Sequence, residues 1–247
     1  MRLCLVCLCL TAITGSLAAQ VSGRWPPDSL VNTQVIPRTT PVIQVVGAMR
    51  NITAALGVPC PFCHVGEEGT PLEQFDFPSD EKRPKQIARQ MMRMVQNINE
   101  RPDTLPERTQ PGLEVTCMTC HRGVTRPLPL SALIQEAALA VGADSAIRAY
   151  RALRARYYGR DAYDFGESSL NVAAFRLGRA GRFDEALALL GVNEGLFGSS
   201  GMYVFRGNIS LMRGDTAAAA TAFRKALRLN PQNGEARGRL RDIGRAP

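Results

Sequence analysis

Two five-residue stretches of the sequence carry the residue types best suited to redox chemistry. Residues 60–64 read Cys-Pro-Phe-Cys-His, and residues 117–121 read Cys-Met-Thr-Cys-His. The chain contains two histidines in all, and both lie in these stretches. Two thiols separated by two residues can form thioethers with the two vinyl groups of a haem, and the adjoining imidazole can bind its iron. The repeated CxxCH pattern therefore predicts two covalently attached c-type haems.

This prediction gives every cysteine and histidine of the two motifs a role. The thioethers come from Cys60, Cys63, Cys117 and Cys120. The proximal iron ligands are His64 and His121. A structural zinc site could use the four cysteines but would not call for the histidines. A thioredoxin-like CxxC motif favours a βαβ setting, and two disulfides would leave the adjacent histidines unexplained.

Composition also narrows the choice of the sixth iron ligand. Because both histidines serve as proximal ligands, bis-histidine coordination within one chain is excluded. The methionine thioether is a soft ligand that favours Fe(II) and raises the reduction potential. Met49 lies on the predicted helix before the first motif, and Met91, Met92 and Met94 lie on the predicted helix before the second. The pattern favours Met94 over Met91, and a role as ordinary core residues is the alternative for all of them.

The chain begins with a pattern typical of exported proteins. A basic residue at position 2 precedes an apolar run over residues 3–15, and small residues follow. This arrangement predicts a signal peptide over residues 1–19, and therefore export to the periplasm or to the outer side of the bacterial cytoplasmic membrane. An uncleaved N-terminal anchor is the alternative. Cleavage would remove three of the seven cysteines, namely Cys4, Cys7 and Cys9.

The motif-bearing part of the chain is expected to fold as helices and loops. Residues 20–40 are rich in proline and form a leader before the first predicted domain, which spans residues 41–130. Apolar residues at three-to-four spacing predict one helix over residues 42–56 and another over residues 84–99. An irregular loop is expected over residues 65–82, after the first motif, and a Pro-rich loop over residues 102–112 leads to the second motif. We expect both helices and both motifs to wrap around haem.

The remainder of the chain, residues 131–247, has a different amino-acid composition. It is rich in Ala, Leu and Arg, and residues 200–231 fit the tetratricopeptide pattern of about 34 residues. A second copy lies thirty-three residues earlier, where Gly181 and Ala186 correspond to Gly214 and Ala219.

Two further segments complete this domain. A weaker copy of the repeat lies at residues 142–159, and residues 232–243 are expected to form a capping helix. The predicted fold is therefore mainly α, with a small dihaem c-type cytochrome module followed by a short α-solenoid of tetratricopeptide-like helix pairs. A non-repetitive helical bundle is the alternative for the second part.

The charge pattern disfavours nucleic-acid binding. The formal net charge is +8, carried by 27 arginines and 3 lysines. The arginines are spread singly along the helical stretches and never form a basic run, which a nucleic-acid-binding surface usually requires.

Three segments of the chain resemble the photosynthetic reaction-centre cytochrome c subunit family: MRNITAALGVPCPFCHV, ARQMMRMVQNIN and VTCMTCHRGVTRPL. In that family a helix carrying an axial methionine precedes each CxxCH. The resemblance therefore implies that Met49 serves the first haem and that Met94, within Arg93-Met94-Val95, serves the second, with Met91 as the fallback. The family carries four haems, whereas this chain has one pair and a tetratricopeptide-like tail in place of the other pair.

Together these features predict an exported dihaem c-type cytochrome that relays single electrons and is not an enzyme. Its partners would be other redox proteins or cytochromes. The helical repeats would serve docking or self-assembly, and peripheral membrane association stays open. A scaffolding repeat protein with haem as packing is one alternative. The other is a dihaem enzyme of the peroxidase type, which needs a distal acid-base group. The nearby carboxylates Glu67, Glu68 and Glu114 lie in hydrophilic loops, where we expect them to be solvated.

Overall fold

The computed structural model describes residues 25–100 and 114–246, which are mainly helical, as the sequence predicts. The predicted signal peptide (1–19) and the first residues of the leader lie outside the described residues. The helices, in chain order, are α1 Val42–Leu56, α2 Arg83–Glu100, α3 Cys117–His121, α4 Leu130–Val141, α5 Ala143–Tyr157, α6 Glu167–Arg179, α7 Phe183–Leu196, α8 Ser200–Met212, α9 Thr216–Leu229 and α10 Gly234–Asp242. Of the helices in this part of the chain, none is long and apolar enough to cross a membrane.

The chain divides into two compact units, one ending at Cys117 and the other beginning at Met118. In the N-terminal unit, α1 has the bounds that its apolar spacing predicts. It ends at Gly57, whose φ of 67° is left-handed, and the amide of Gly57 bonds to the carbonyl of Thr53. Glycine adopts this conformation without the steric cost that a Cβ would add. The helix therefore stops three residues before the first motif.

The loop between the first motif and α2 is irregular but packed. A single antiparallel bridge joins Val65 to Asp76, and Phe75 is buried beneath it. Gly66 lies against the Phe75 ring so closely that any Cβ there would overlap the ring. A short 3₁₀ helix, Leu72–Gln74, turns the chain within this loop. The loop thus returns to the neighbourhood of His64 before α2 begins.

The described part of the leader contacts this loop and α2. The Trp25 ring stacks on Phe77 with ring centroids 4.8 Å apart. Asn32 donates from Nδ2 to the carbonyl of Pro78 at 2.6 Å and accepts, through its own carbonyl, from Arg89 Nη2 at 2.9 Å. The leader is therefore an ordered arm over these residues.

Apolar side chains in the N-terminal unit are poorly covered by protein. Among its described residues, Ala55 and Phe75 are the only buried apolar ones. No residue of α2 is buried, although the helix is strongly amphipathic. The residues of its apolar stripe each expose between 36 and 50% of their surface: Ile87, Met91, Met94 and Ile98. Side-chain packing within the described residues therefore does not explain why α2 carries an apolar face.

The C-terminal unit is a stack of helix pairs. Helix α4 packs on α5, α6 on α7 and α8 on α9, while α10 covers α9. Successive pairs contact each other through α4 with α6, α6 with α8, and α5 and α8 with α7. The pairs α6–α7 and α8–α9 correspond to the two clearer copies that the sequence predicts, and α10 corresponds to the capping helix. The weaker copy, residues 142–159, contains α5 alone, and its partner α4 precedes the predicted bounds. The repeat fold is confirmed.

One continuous core runs through this stack. Its fully buried members include Ile134, Leu170, Leu177, Leu189, Ile209, Phe223 and Leu240. Gly207 of α8 lies so close to the Phe223 ring of α9 that a Cβ would collide with it. Close packing of this kind leaves no space for a larger residue at that position.

Candidate haem site

The first motif folds as a tight turn directly after α1. Residues Cys60–Phe62 form a 3₁₀ helix, and the amide of His64 bonds to the carbonyl of Cys60 at 3.1 Å. This turn brings both thiols and the imidazole onto one short segment. Cys60, Cys63 and His64 are each half-buried, and neither thiol forms a disulfide.

The environment of His64 favours a neutral imidazole. Burial lowers its pKa, and the nearby cations Lys85, Arg89 and Lys82 lower it further. The Phe77 carbonyl opposes this shift, although no hydrogen bond of good geometry reaches the buried Nδ1. The Phe77 ring lies edge-on to the imidazole, with centroids 4.9 Å apart. A neutral imidazole is the form that binds iron, because protonation would occupy the ligating nitrogen.

The first motif is tied to the start of α2 by a lysine. Lys82, the residue before α2, donates from Nζ to the carbonyl of Pro61 inside the motif. Burial raises the pKa of the Cys63 thiol, while the nearby Lys82 ammonium acts in the opposite direction. Because an ordinary cysteine already titrates above neutral pH, the Cys63 side chain stays a thiol at pH 7.

The second motif is itself a short helix, α3, that ends at its histidine. Arg122 and Gly123 then adopt left-handed backbone conformations, with φ of 48° and 87°. A non-glycine residue in this region is uncommon and marks a position held by its surroundings. The two residues reverse the chain so that the amide of Val124 bonds to the carbonyl of His121 at 3.0 Å.

This reversal sets the orientation of the proximal imidazole. Nδ1 of His121 lies 2.8 Å from the carbonyl oxygen of Val124, which can only accept a hydrogen bond. The proton therefore resides on Nδ1, and Nε2 keeps its lone pair for a metal. Val124 is itself buried, which holds its carbonyl in place. Sequence reasoning missed Val124, because a backbone acceptor leaves no side-chain signal.

The chain that enters the second motif is held by α2. Asn99 donates from Nδ2 to the carbonyl of Val115 at 2.8 Å and accepts from the amide of Val115 through Oδ1, also at 2.8 Å. Both residues are half-buried. Val115 lies two residues before Cys117. Before the structure, the only indication of this pairing was a polar residue near the end of an amphipathic helix.

The candidate distal ligands lie on the two helices of the N-terminal unit. Met49 is half-buried on α1. Met91 and Met94 are both on the exposed apolar stripe of α2, whereas Met92 is half-buried beside it. Met118, inside the second motif, is also largely exposed. The assignment of Met49 and Met94 as ligands stays a prediction.

The residues present fit a haem. Each motif offers two free thiols, and at His121 the hydrogen bond to Val124 leaves Nε2 open. The apolar stripe of α2 is a surface that a porphyrin could cover, and thioether sulfurs on it are soft ligands for iron. Four apolar side chains in a row are rarely left to water in a folded protein without a partner.

Two further findings bear on the alternatives. The side chains of Glu67, Glu68 and Glu114 are exposed, as predicted for solvated carboxylates. Across residues 25–100 and 114–246, no three His, Cys, Asp or Glu side chains form a cluster that could hold a metal ion.

Comparison with known families agrees with this arrangement. Residues 66–147 match the family described as photosynthetic reaction centre cytochrome c subunit, and residues 202–233 match the tetratricopeptide repeat. No curated protein matches the chain. The first match contains α2 and the second motif, whereas the first motif and Met49 precede it.

The two matches support a coarse statement of function. A segment of this cytochrome family implies covalently bound haem c, electron transfer and redox partners, and a tetratricopeptide repeat implies contact with other proteins. The resemblance seen in the sequence is confirmed: the chain joins a segment similar to the reaction-centre cytochrome c subunit to a tetratricopeptide repeat.

Proposed function

We propose that the protein is an exported dihaem c-type cytochrome that relays single electrons between redox partners. The observation that carries the proposal is the presentation of His121, whose Nδ1 is committed to the Val124 carbonyl and whose Nε2 is free. The motif before it provides two unpaired thiols at the spacing that haem attachment needs. The first motif has the same CxxCH spacing, and burial lowers the pKa of His64, which favours its neutral form.

The roles of the chain's residues follow from this. Cys60, Cys63, Cys117 and Cys120 would hold the two haems through thioethers, and His64 and His121 would be the proximal iron ligands. Met49 and Met94 would be the distal ligands, with Met91 as the fallback at the second haem. The haem would supply a one-electron Fe(III)/Fe(II) couple. With a histidine and a methionine as its protein ligands, the iron would have no position left for a substrate, which suits electron transfer rather than catalysis.

The helical repeats supply the partner surface. Repeat stacks of this kind present extended surfaces that bind other proteins. We assign docking of a redox partner, or assembly into a larger redox complex, to α4–α10. Export to the periplasm completes the proposal, because covalent haem attachment and a signal peptide belong to the same compartment.

Mass spectrometry of the native protein tests the haem count. We expect the mature chain to carry two haems that survive denaturation, as seen by haem staining of a denaturing gel. A chain with one haem, or with none, would contradict the dihaem proposal. The N-terminus of the same sample reports whether residues 1–19 are removed.

Axial ligation is tested by replacing one methionine at a time. Met49→Ala and Met94→Ala should each convert one of the two irons to high spin and lower its midpoint potential, because water or an empty position replaces a thioether. Met212→Ala, an exposed methionine on α8, is the control and should leave both spectra unchanged. If Met94→Ala changes neither the spin state nor the midpoint potential, Met91→Ala tests whether Met91 is the distal ligand of the second haem. Rapid cyanide binding by the native protein would favour a peroxidase-type enzyme instead.

A further inference from the structure

Helix α2 makes a backbone contact beside the first motif at its N-terminal end. Lys82, which directly precedes the helix, donates from Nζ to the carbonyl of Pro61, the residue that follows Cys60. One turn further on, Lys85 donates to the carbonyls of Phe77 and Ser79 at 2.8 and 2.7 Å. The start of α2 is therefore fixed both to the motif and to the loop that follows the motif.

The C-terminal end of α2 makes an equivalent contact before the second motif. Asn99 pairs with both the amide and the carbonyl of Val115, at 2.8 Å each. A side-chain amide that satisfies both backbone groups of one residue fixes that residue in position and orientation. Thr116 alone separates Val115 from the first thioether cysteine, Cys117.

The two contacts lie at opposite ends of one uninterrupted helix. Lys82 and Asn99 are separated by seventeen residues, which corresponds to about 25 Å along a helix that rises 1.5 Å per residue. Over this length the backbone is hydrogen-bonded and carries its only proline at the second position, where no internal helix bond is lost. A helix of this kind keeps its two ends at a fixed distance from each other.

Both contacts are made to backbone groups and not to haem ligands. Neither contact buries α2 in a protein core, because no residue of the helix is buried. Together they hold the start of α2 at the first motif and its end at the chain that enters the second motif. Electron exchange between two haems depends steeply on the separation and orientation of the rings, so this geometry matters for a relay.

We propose that α2 is a rigid spacer that sets the distance between the first motif and the chain that enters the second motif, and through it the separation of the two haems, with Lys82 and Asn99 as the positioning residues at its ends. The inference rests on the proposed dihaem function. It adds that the geometry between the two haems is built into the chain by these two contacts, and does not arise only from the haems packing on each other.

Pulsed dipolar EPR on the fully oxidised protein measures the distance between the two ferric irons directly. We expect a single narrow distance distribution in the native protein. Asn99→Ala and Lys82→Met should each broaden or shift it, because one end of the spacer is released. Lys82→Arg keeps a donor on a long stem and should restore the narrow distribution. Asn97→Ala, an exposed change on the same helix, is the matched control and should leave it unchanged.

The outcomes separate this inference from the proposed function. Haem content of each variant, measured by mass, reports on the dihaem proposal alone. Two haems with a broad native distribution, or with a native distribution retained in both Asn99→Ala and Lys82→Met, would overturn the spacer and leave the dihaem function standing. Retained thermal stability of the helical repeats in each variant shows that the change in distance does not come from general unfolding.

Discussion

The two units of the chain use apolar helix faces in opposite ways. In the C-terminal unit, every helix from α4 to α10 places buried residues against a neighbouring helix. In the N-terminal unit, α2 is strongly amphipathic and buries none of its residues. The same kind of sequence pattern thus forms a protein core in one unit and an uncovered stripe in the other. The difference shows that amphipathicity predicts that a face will be covered, but not what will cover it.

This difference affects how much free energy each unit gains from its apolar side chains. Burying a large apolar side chain contributes about 1.5–3 kcal/mol relative to leaving it exposed. The repeats gain this contribution from their own side chains. Ile87, Met91, Met94 and Ile98 gain it only when something other than the described protein covers them. A group that binds the folded form alone stabilises it, so the N-terminal unit should depend on its cofactor for stability.

The strongest test of the comparison is to abolish haem attachment. In a chain with all four motif cysteines replaced by serine, we expect the amides of α1 and α2 to lose their protection against hydrogen exchange. The amides of α6 and α8 should keep theirs, because their core is made of side chains. Hydrogen exchange with mass spectrometry resolves the two units in one experiment. Equal loss in both units, or protection of α2 without haem, would contradict the comparison.

The complementary test is a substitution in the core of the repeats. Gly207→Ala places a methyl group into the Phe223 ring and should destabilise the C-terminal unit by about 1–3 kcal/mol, as overpacking usually does. Gly191→Ala is the matched control, because the space around Gly191 on α7 is open. It should be neutral, or stabilising by up to about 1 kcal/mol through helix propensity. Thermal unfolding followed by circular dichroism checks both variants.

The haem spectrum should respond differently from the melting curve in these two variants. The axial thioether bands and both midpoint potentials should stay at native values in Gly207→Ala. A shift of these bands or potentials along with the melting temperature would mean that the disturbance in the repeat core reaches the haem sites.

Some features of the molecule could be predicted from the sequence because they are local. The apolar spacing of residues 42–56 and the glycine after it determine the bounds of α1 without help from elsewhere. The repeat signature predicts α8 and α9 because Gly207, Ala219 and Phe223 must meet at one interface. In these cases each residue type has one physical reason to be where it is.

The contacts around the motifs could not be predicted in this way. The partner of His121 is a backbone carbonyl, which every residue has, and it is reached only after two left-handed residues. Lys82 and Asn99 are ordinary polar residues in the sequence, and their roles appear only once Pro61 and Val115 are brought beside them. These contacts depend on how segments distant in the sequence are placed beside each other. A residue pattern along one segment carries no information about that placement.

The smallest effect that we predict concerns Asp80, which lies in the loop before α2. The Asp80 carboxylate forms ion pairs with Arg89, whose Nη1 lies 2.8 Å from Oδ1, and with Lys85, whose Nζ lies 3.0 Å from it. Hydrogen bonds from Arg89, Asn32 and Lys85 hold the pKa of Asp80 well below its usual range. Because the folded pKa lies below the unfolded one, the contribution to stability is fully present above the ordinary aspartate pKa. It is lost only as the pH falls through the depressed folded value.

The prediction is therefore an effect that is constant from pH 7 to pH 5 and fades under strongly acidic conditions. Asp80→Asn should slightly lower the urea midpoint of the haem-monitored transition in that neutral range, and solvent screening keeps the change small. Glu81→Gln removes the same charge from the neighbouring exposed residue and serves as the control. The transition of the repeats should not move in either variant. A shift in the repeats would mean that this ion pair does not act on the N-terminal unit alone. A difference between the native protein and Asp80→Asn that persists once Asp80 is protonated would mean that the carboxylate charge is not the source of the stability.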